Sequence, residues 1–152
     1  QDSDMPFREI LVPTDFSDSS RSALRLAIKL AKATQARVTV LHVGVVPHFY
    51  ATELGMAGPA GPLFTQMADE VNREQRRRLQ ELCAEEIPED VPSVQVIRDG
   101  FAPEEVKAQV ADGGHDLVVM GTHGRTGLQR ALLGSVTERV VRECPVPVMS
   151  TH

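Results

Sequence analysis

Five short runs of apolar, mostly β-branched residues recur along the chain, at 10–12, 38–43, 94–97, 117–120 and 146–149. Segments with helical periodicity separate these runs. Strands that alternate with helices predict βαβ units, and such units build a parallel sheet with helices on both faces. The apolar positions of the helical segments form four stripes: Ala23, Leu24, Ala27, Ile28 and Ala31; then Phe64, Met67, Ala68, Val71, Leu79, Leu82 and Cys83; then Ala102, Val106 and Val110; then Val136 and Val140.

Two of the runs indicate where their strands lie in the sheet. The run at 117–120 shows no alternation of apolar and polar residues. We therefore expect it to be buried on both faces, near the sheet centre. The last run contains Pro145 and Pro147, whose missing N–H groups fall on the same side of a strand. This arrangement is typical of an edge strand, so we expect 146–149 at the edge of the sheet.

Capping signals mark two helix starts. Pro103 with Glu104 and Glu105 places proline in a first turn and acidic side chains at the positive end of the helix dipole. Residues 135–138, with the sequence SVTE, match a capping box that begins at Ser135. The stretch 44–63 is rich in glycine and proline and fits no regular element, so we expect a flexible loop. Whether this loop touches a ligand is left open by the sequence.

Length and charge narrow the class of protein. A chain of 152 residues supports one buried core, so we expect a single domain over 1–152. The formal net charge of −5 argues against a nucleic-acid partner, because binding to a phosphate backbone needs a basic face. No apolar run approaches the length of a membrane span and no leader is recognisable, so we expect no membrane association and a cytoplasmic location. Residues 1–5 are expected to be disordered or left over from cloning, with Met5 as the natural start.

The segment 121–135 contains the residues that most clearly indicate a binding site. It begins where the predicted central strand ends and finishes where a helix begins. Gly121, Gly124 and Gly134 would let backbone N–H groups approach an anion closely. Ser135 opens a helix whose free N–H groups and dipole favour a phosphate, and Arg125 is a nearby counter-charge. The alternative is an ordinary glycine-rich turn with a serine cap. Three glycines around one strand-to-helix crossover favour the phosphate site.

The same segment resembles the ATP-binding signature of the universal stress protein family, G-x2-G-x9-G-[ST]. Gly121, Gly124, Gly134 and Ser135 match it with the correct spacing. The likeness extends over nearly the whole chain, including the opening ILVPTDFS at 10–17 and the closing CPVPV at 144–148. As a set of motifs it is highly specific.

The resemblance implies a fold, a ligand and a role for each matching position. The fold would be an open, twisted, five-stranded parallel sheet in the order 3-2-1-4-5, Rossmann-like and similar to the adenine nucleotide alpha hydrolases. The ligand would be ATP, or ADP or AMP, with Mg²⁺, and the protein would be a homodimer joined through its last strand. The implied roles are adenosine contact by Asp15; adenine-pocket lining by Pro13, Thr14 and Val43; a pocket floor of Met120 and Gly121; and phosphate contacts by Gly124, Arg125, Gly134, Ser135, Val136 and Thr137. His123 lies between the cradle glycines, and we expect it either to donate to a phosphate or to be exposed.

The fold rules and the family resemblance predict a ligand site at the same place. Ligands of open α/β sheets bind beyond the carboxyl ends of the strands, at a topological switch point. Asp15 follows the first strand and Gly121 ends the fourth, so both would face one crevice. The alternative for Asp15 is a purely structural Asx cap on the following helix. Pro145 and Pro147 would limit backbone pairing along the implied dimer edge.

Two functions are compatible with such a crevice. The first is an ATP-binding regulatory module of the stress response with at most slow hydrolysis. The second is a Mg²⁺-dependent enzyme that hydrolyses ATP or transfers a phosphoryl or adenylyl group, with His123 and Asp15 near the phosphates. The signatures GxxxxGK[ST], GxGxxG after the first strand and GxSxG are all absent from the sequence, which favours binding over catalysis. His42 lies on a buried-looking strand and is interpreted as a core residue.

Overall fold

A computed structural model describes residues 6–44, 61–122 and 134–151. Five strands and four helices alternate in these ranges, as the hydrophobic pattern predicts. They are β1 (Glu9–Pro13), α1 (Asp18–Thr34), β2 (Arg37–Gly44), α2 (Gly61–Glu86), β3 (Ser93–Asp99), α3 (Ala102–Gly113), β4 (Leu117–Gly121), α4 (Ser135–Glu143) and β5 (Val148–Thr151).

The strands form one parallel sheet in the order β3-β2-β1-β4-β5. This confirms the predicted fold class and the implied strand order. The prediction for the fourth strand is also confirmed, because every residue of β4 is buried. β3 and β5 lie at the two edges of the sheet, and Val94 of β3 is 40% exposed there.

Helices cover both faces of the sheet, and each face has its own core. On one face, the stripe of α1 packs with Leu79, Leu82 and Cys83 of α2 against Ile10, Val12, Val38, Val40, Leu117 and Val119. On the other face, Val106 and Val110 of α3 and Val140 of α4 pack against Leu11, Leu41, Val118 and Met120. Strand side chains alternate between faces with period two, so the central strands contribute to both cores.

The range predicted for the flexible loop, 44–63, includes residues that belong to regular elements at both ends. Gly44 is the last residue of β2, and α2 already begins at Gly61. Pro62 in the first turn is compatible with a helix, because the N–H group that proline lacks has no partner at that position in any case. The rest of the predicted loop, 45–60, lies outside the described residues, as do residues 1–5.

Three other boundaries or burials differ from the sequence prediction. β5 begins at Val148, after Pro147, because proline cannot donate to the ladder. The predicted capping box at Ser135 is wrong, since the N-cap of α4 is Gly134 and no side chain caps this helix. Met67 and Val71 of α2 are 50% and 39% exposed, and only Ala68 of that half of the stripe is confirmed as buried. Among the described residues, no helix is both long and apolar enough to cross a membrane.

Candidate functional site

The carboxyl ends of β1 and β4 lie side by side at the centre of the sheet. β1 pairs with β4 on one side and with β2 on the other, so the chain order reverses between β1 and β4. Pro13 ends β1 and is paired with Leu41, and Val43 lies two residues further along β2. Met120 and Gly121 end β4. These predicted site residues therefore lie on three adjacent strands, at the edge where open α/β sheets bind ligands.

The turn that follows β1 is held by its own side chains. The N–H group of Thr14 donates to the Leu41 carbonyl over 2.8 Å, and the Thr14 hydroxyl lies 3.0 Å from that of Ser20. The Asp15 carboxylate accepts from the N–H group of Ser17 over 3.0 Å. Ser17 is the N-cap of α1 and accepts from the N–H group of Ser20. Asp15 thus shapes the turn, whereas the helix cap, which the structural alternative assigned to Asp15, is Ser17.

Gly121 touches the first turns of two helices. A Cβ atom built on Gly121 would lie 2.3 Å from the Ser19 hydroxyl and 2.6 Å from the Ser19 carbonyl carbon. Only glycine therefore allows β4 to approach the start of α1 this closely. The carbonyl oxygen of Gly121 also accepts from the buried Thr137 hydroxyl of α4 over 2.7 Å. The end of β4 consequently fixes the N-termini of α1 and α4 at the same edge of the sheet.

The first amides of α4 differ in their hydrogen bonding. The N–H group of Gly134 donates to the Thr122 carbonyl over 2.6 Å, so this amide is bonded within the protein, and the phosphate contact of Gly134 stays a prediction. The N–H groups of Ser135, Val136 and Thr137 form the first turn, where helix geometry provides no carbonyl partner. Ser135 is exposed, Val136 is half-buried and Thr137 is buried. The helix dipole adds positive potential at these three amides.

Three of the predicted phosphate contacts lie outside the described residues. They are His123, Gly124 and Arg125. The structure accordingly describes only the two ends of the glycine segment, 121–122 at one end and 134–137 at the other. Their placement brings one end of the proposed cradle to the crevice beside β1.

Sequence reasoning missed the hydroxyl-bearing side chains at the start of α1. Ser17, Ser19 and Ser20 fix the turn and the contact with β4. It also treated His42 as a core residue only. The buried His42 ring lies with Nδ1 2.9 Å from the Thr14 carbonyl oxygen, so β2 holds the turn after β1 as well. The available signal was the group of serines at 17, 19 and 20, which lies close after Asp15 in the sequence.

The donors and acceptors at this edge suit a phosphorylated nucleoside. The α4 amides would bind phosphate oxygens, and a carboxylate such as Asp15 accepts hydrogen bonds from a sugar hydroxyl. Among the described residues, no group of three His, Cys, Asp or Glu side chains could hold a metal ion. Mg²⁺ commonly binds through nucleotide phosphates and water with few protein ligands.

The fold and this crevice define an open α/β protein of the kind that binds its ligand at a switch point of a parallel sheet. The family model described as the Universal stress protein family matches residues 6–152. The chain therefore belongs to the universal stress protein family.

Individual relatives agree with this assignment. The universal stress protein MJ0531 of Methanocaldococcus jannaschii is 35% identical over 150 residues, which cover 94% of this chain and 81% of the relative. The solved structure of MJ0577, a universal stress protein of the same organism, has a TM-score of 0.79 at 28% identity and covers 96% of both chains. The crystal structure of a universal stress protein in complex with cAMP has a TM-score of 0.58 at 20% identity and covers 97% of this chain and 98% of that one. At 20% identity, the similarity to the cAMP complex shows only that the two proteins share a fold.

Proposed function

We propose that this protein is an ATP-binding regulatory module of the stress response that holds the nucleotide in the crevice between β1 and β4. The observation that carries the proposal is the position of Gly121, which joins the end of β4 to the first turns of both α1 and α4. That junction sets an uncapped helix N-terminus beside the turn that carries Asp15. An anion site and a carboxylate on adjacent strand ends are what a nucleotide requires.

Each part of the ligand has proposed contacts. Pro13, Thr14 and Val43 line the adenine pocket, with Met120 and Gly121 as its floor. Asp15 binds the ribose. The phosphates lie against the amides of Ser135, Val136 and Thr137 at the start of α4. The family resemblance adds Gly124, Arg125 and Gly134, and the position of His123 between the cradle glycines adds a further donor. Gly134 contributes through its backbone position, because its N–H group is already bonded to Thr122.

The nucleotide could be ATP, ADP or AMP, and Mg²⁺ would enter with the phosphates. Support for an adenine nucleotide comes from the family signature and from the related protein whose structure contains cAMP. Mass spectrometry of small molecules released from the purified protein would identify the nucleotide directly. The same resemblance is the basis for proposing a cytoplasmic homodimer joined through β5. A monomeric mass in sedimentation equilibrium at micromolar concentration would refute the dimer.

The enzymatic alternative depends on His123 and Asp15. His123 lies outside the described residues, and the Asp15 carboxylate accepts a hydrogen bond that the turn needs. The hydrogen bond ties Asp15 to the turn, and the sequence lacks the catalytic signatures named above, so the proposal remains a binding module. Phosphate release from ATP that disappears in His123→Ala, with binding retained, would favour the enzyme instead.

Substitutions at Asp15 test the site, and Asp15→Asn does so while keeping the hydrogen bond of the turn. Asp15→Asn keeps an oxygen that accepts from the Ser17 N–H group but removes the negative charge, whereas Asp15→Ala removes both. Because a hydrogen bond to a charged group contributes about 1.5–3 kcal/mol, we expect the dissociation constant for ATP to rise about tenfold or more in Asp15→Asn. Asp15→Ala should bind more weakly still. Isothermal titration calorimetry measures both.

Asp18→Asn is the matched control. Asp18 is exposed in the first turn of α1, three residues from Asp15, and the substitution makes the same change in charge. We expect ATP affinity to be unchanged in this variant. A wild-type protein that binds no ATP at millimolar concentration would overturn the proposed function, and equal affinity in all four proteins would remove Asp15 from the site.

A further inference from the structure

Phe16 occupies a backbone conformation that aromatic residues rarely adopt. Its φ angle is 66°, in the left-handed region that favours glycine. Phe16 immediately follows Asp15 in the turn between β1 and α1. A residue in this region persists only when the surrounding structure holds it there. The turn that carries Asp15 therefore depends on what restrains Phe16.

The aromatic ring of Phe16 is restrained by contacts from two other elements. The guanidinium carbon of Arg78, on α2, lies 4.3 Å from the ring centroid, which is a cation–π contact. The His42 ring of β2 lies 4.6 Å from the same centroid at an interplanar angle of 36°. His42 Nδ1 lies 2.9 Å from the Thr14 carbonyl oxygen. Because a carbonyl can only accept, this ring nitrogen is the donor.

The backbone of the turn is tied to the same residues. The N–H group of Phe16 donates to the Thr14 hydroxyl over 3.1 Å, and the N–H group of Ser17 donates to Asp15 over 3.0 Å. Thr14, Asp15 and Phe16 are thus each held by a contact that crosses the turn. The ring of Phe16 connects this turn to α2 through Arg78.

We propose that Arg78 and Phe16 are positioning residues for the nucleotide: Arg78 holds the Phe16 ring, and Phe16 holds the turn that presents Asp15 to the ribose. This inference rests on the proposed function. Arg78 touches the turn and not the ligand, so it acts on affinity through the conformation of Asp15. Linkage is reciprocal, so nucleotide binding in turn stabilises the contact between the turn and α2.

The first experiment needs no ligand. Hydrogen exchange is measured on the nucleotide-free wild type, Arg78→Ala and the control Arg76→Ala. Arg76 lies on the same helix with an exposed side chain, and its substitution removes the same charge. We expect the Phe16 and Ser17 amides to exchange faster in Arg78→Ala than in Arg76→Ala. Equal exchange in the two variants would overturn the proposal whether or not a nucleotide binds.

The second experiment is an ATP titration of the same proteins together with Arg78→Lys. We expect the dissociation constant to rise at least about fivefold in Arg78→Ala and to stay unchanged in Arg76→Ala. Arg78→Lys should recover only part of the affinity, because lysine lacks the planar group that stacks on an aromatic ring. Bound ATP should slow exchange in α2 around residue 78 in the wild type but not in Arg78→Ala.

The outcomes separate this proposal from the proposed function. ATP binding that is equal in the wild type and Arg78→Ala would overturn the positioning role and leave the binding function standing. A wild type that binds no ATP would overturn the binding function and the ligand half of this proposal. In that case the exchange comparison still decides whether Arg78 holds the turn.

Discussion

At the scale of single residues, Gly121 combines a packing requirement with a proposed role in ligand binding. The sequence marks Gly121 as part of a signature, and the expected reason was close approach of a backbone amide to phosphate. The structure adds a second reason, the contact with Ser19. That contact joins residues far apart in the chain, so no local spacing could have predicted it.

Replacing Gly121 with alanine tests this packing requirement. The added Cβ would meet the Ser19 carbonyl carbon at 2.6 Å, and backbone cannot rotate away as a side chain can. We expect Gly121→Ala to lower the free energy of unfolding by about 1–3 kcal/mol, as overpacked sites do. Urea denaturation measures the change. An unaltered midpoint would mean that the start of α1 yields easily.

His115 lies in a chain of side-chain hydrogen bonds that fixes its proton. Arg98 Nη1 donates to Gln109 Oε1 over 3.0 Å, so the Gln109 amide must present its nitrogen to His115 Nε2, 3.2 Å away. His115 Nε2 can accept this bond only when it carries no proton. Burial lowers the pKa of His115, with Arg37 acting in the same direction and Glu9 and Asp116 opposing. The folded protein therefore favours the neutral ring.

Stability should decline as the pH falls below the ordinary histidine value of about 6.5. The unfolded chain binds a proton there that the folded chain resists, so unfolding becomes more favourable until the lower pKa of the folded state is reached. Each unit of pKa depression corresponds to about 1.4 kcal/mol. His115→Gln can still accept from Gln109 but does not titrate. We expect the wild type to lose more stability than this variant between pH 8 and pH 5 in urea denaturation; parallel losses would contradict the argument.

At the scale of elements, periodicity predicted all five strands because buried strands and amphipathic helices have different repeats. Boundaries were less predictable. The predicted capping box is absent, because Gly134, which has no side chain, takes the N-cap position. Burial of Met67 and Val71 was predicted from helical spacing alone, which does not show how far along a helix the core extends.

Glu86 connects α1 to α2. Its carboxylate accepts from Arg21 over 2.6 Å and from Arg25 over 2.9 Å, and the side chain is only 11% exposed. These bonds, with that of Arg25 the strongest, lower the pKa of Glu86 to about 2. Glu85, its neighbour, meets Arg21 alone and is 62% exposed. The two glutamates form a natural comparison between a half-buried and an exposed ion pair.

We expect Glu86→Gln to lower the free energy of unfolding at pH 7 by about 1–2 kcal/mol, and Glu85→Gln by at most about 0.5 kcal/mol. The carboxylate of Glu86 stabilises the fold above its unfolded pKa of about 4.5, and this contribution is lost as the pH falls from there towards 2. The difference between the wild type and Glu86→Gln should therefore be smaller at pH 3 than at pH 7. Urea denaturation at the two pH values measures it, and a constant difference would show that the charge is not responsible.

At the scale of the whole molecule, the alternation of elements was enough to predict a parallel sheet covered on both faces. The strand order came from the family resemblance, because hydrophobic patterns do not state which strands are neighbours. The site was predicted in part. Strand ends locate Asp15 and Gly121 at one edge, whereas the contacts of Phe16 with Arg78 and His42 depend on tertiary packing that no motif describes.

The division of the core into two halves has a consequence for the ligand. α1 and α2 pack on one face of the sheet, and α3 and α4 pack on the other. The turn that carries Asp15 leads into α1, while the proposed phosphate site belongs to α4. A nucleotide that touches both would link the two helix layers at the end of the sheet. A shift of the helices on one face would then be transmitted to the helices on the other.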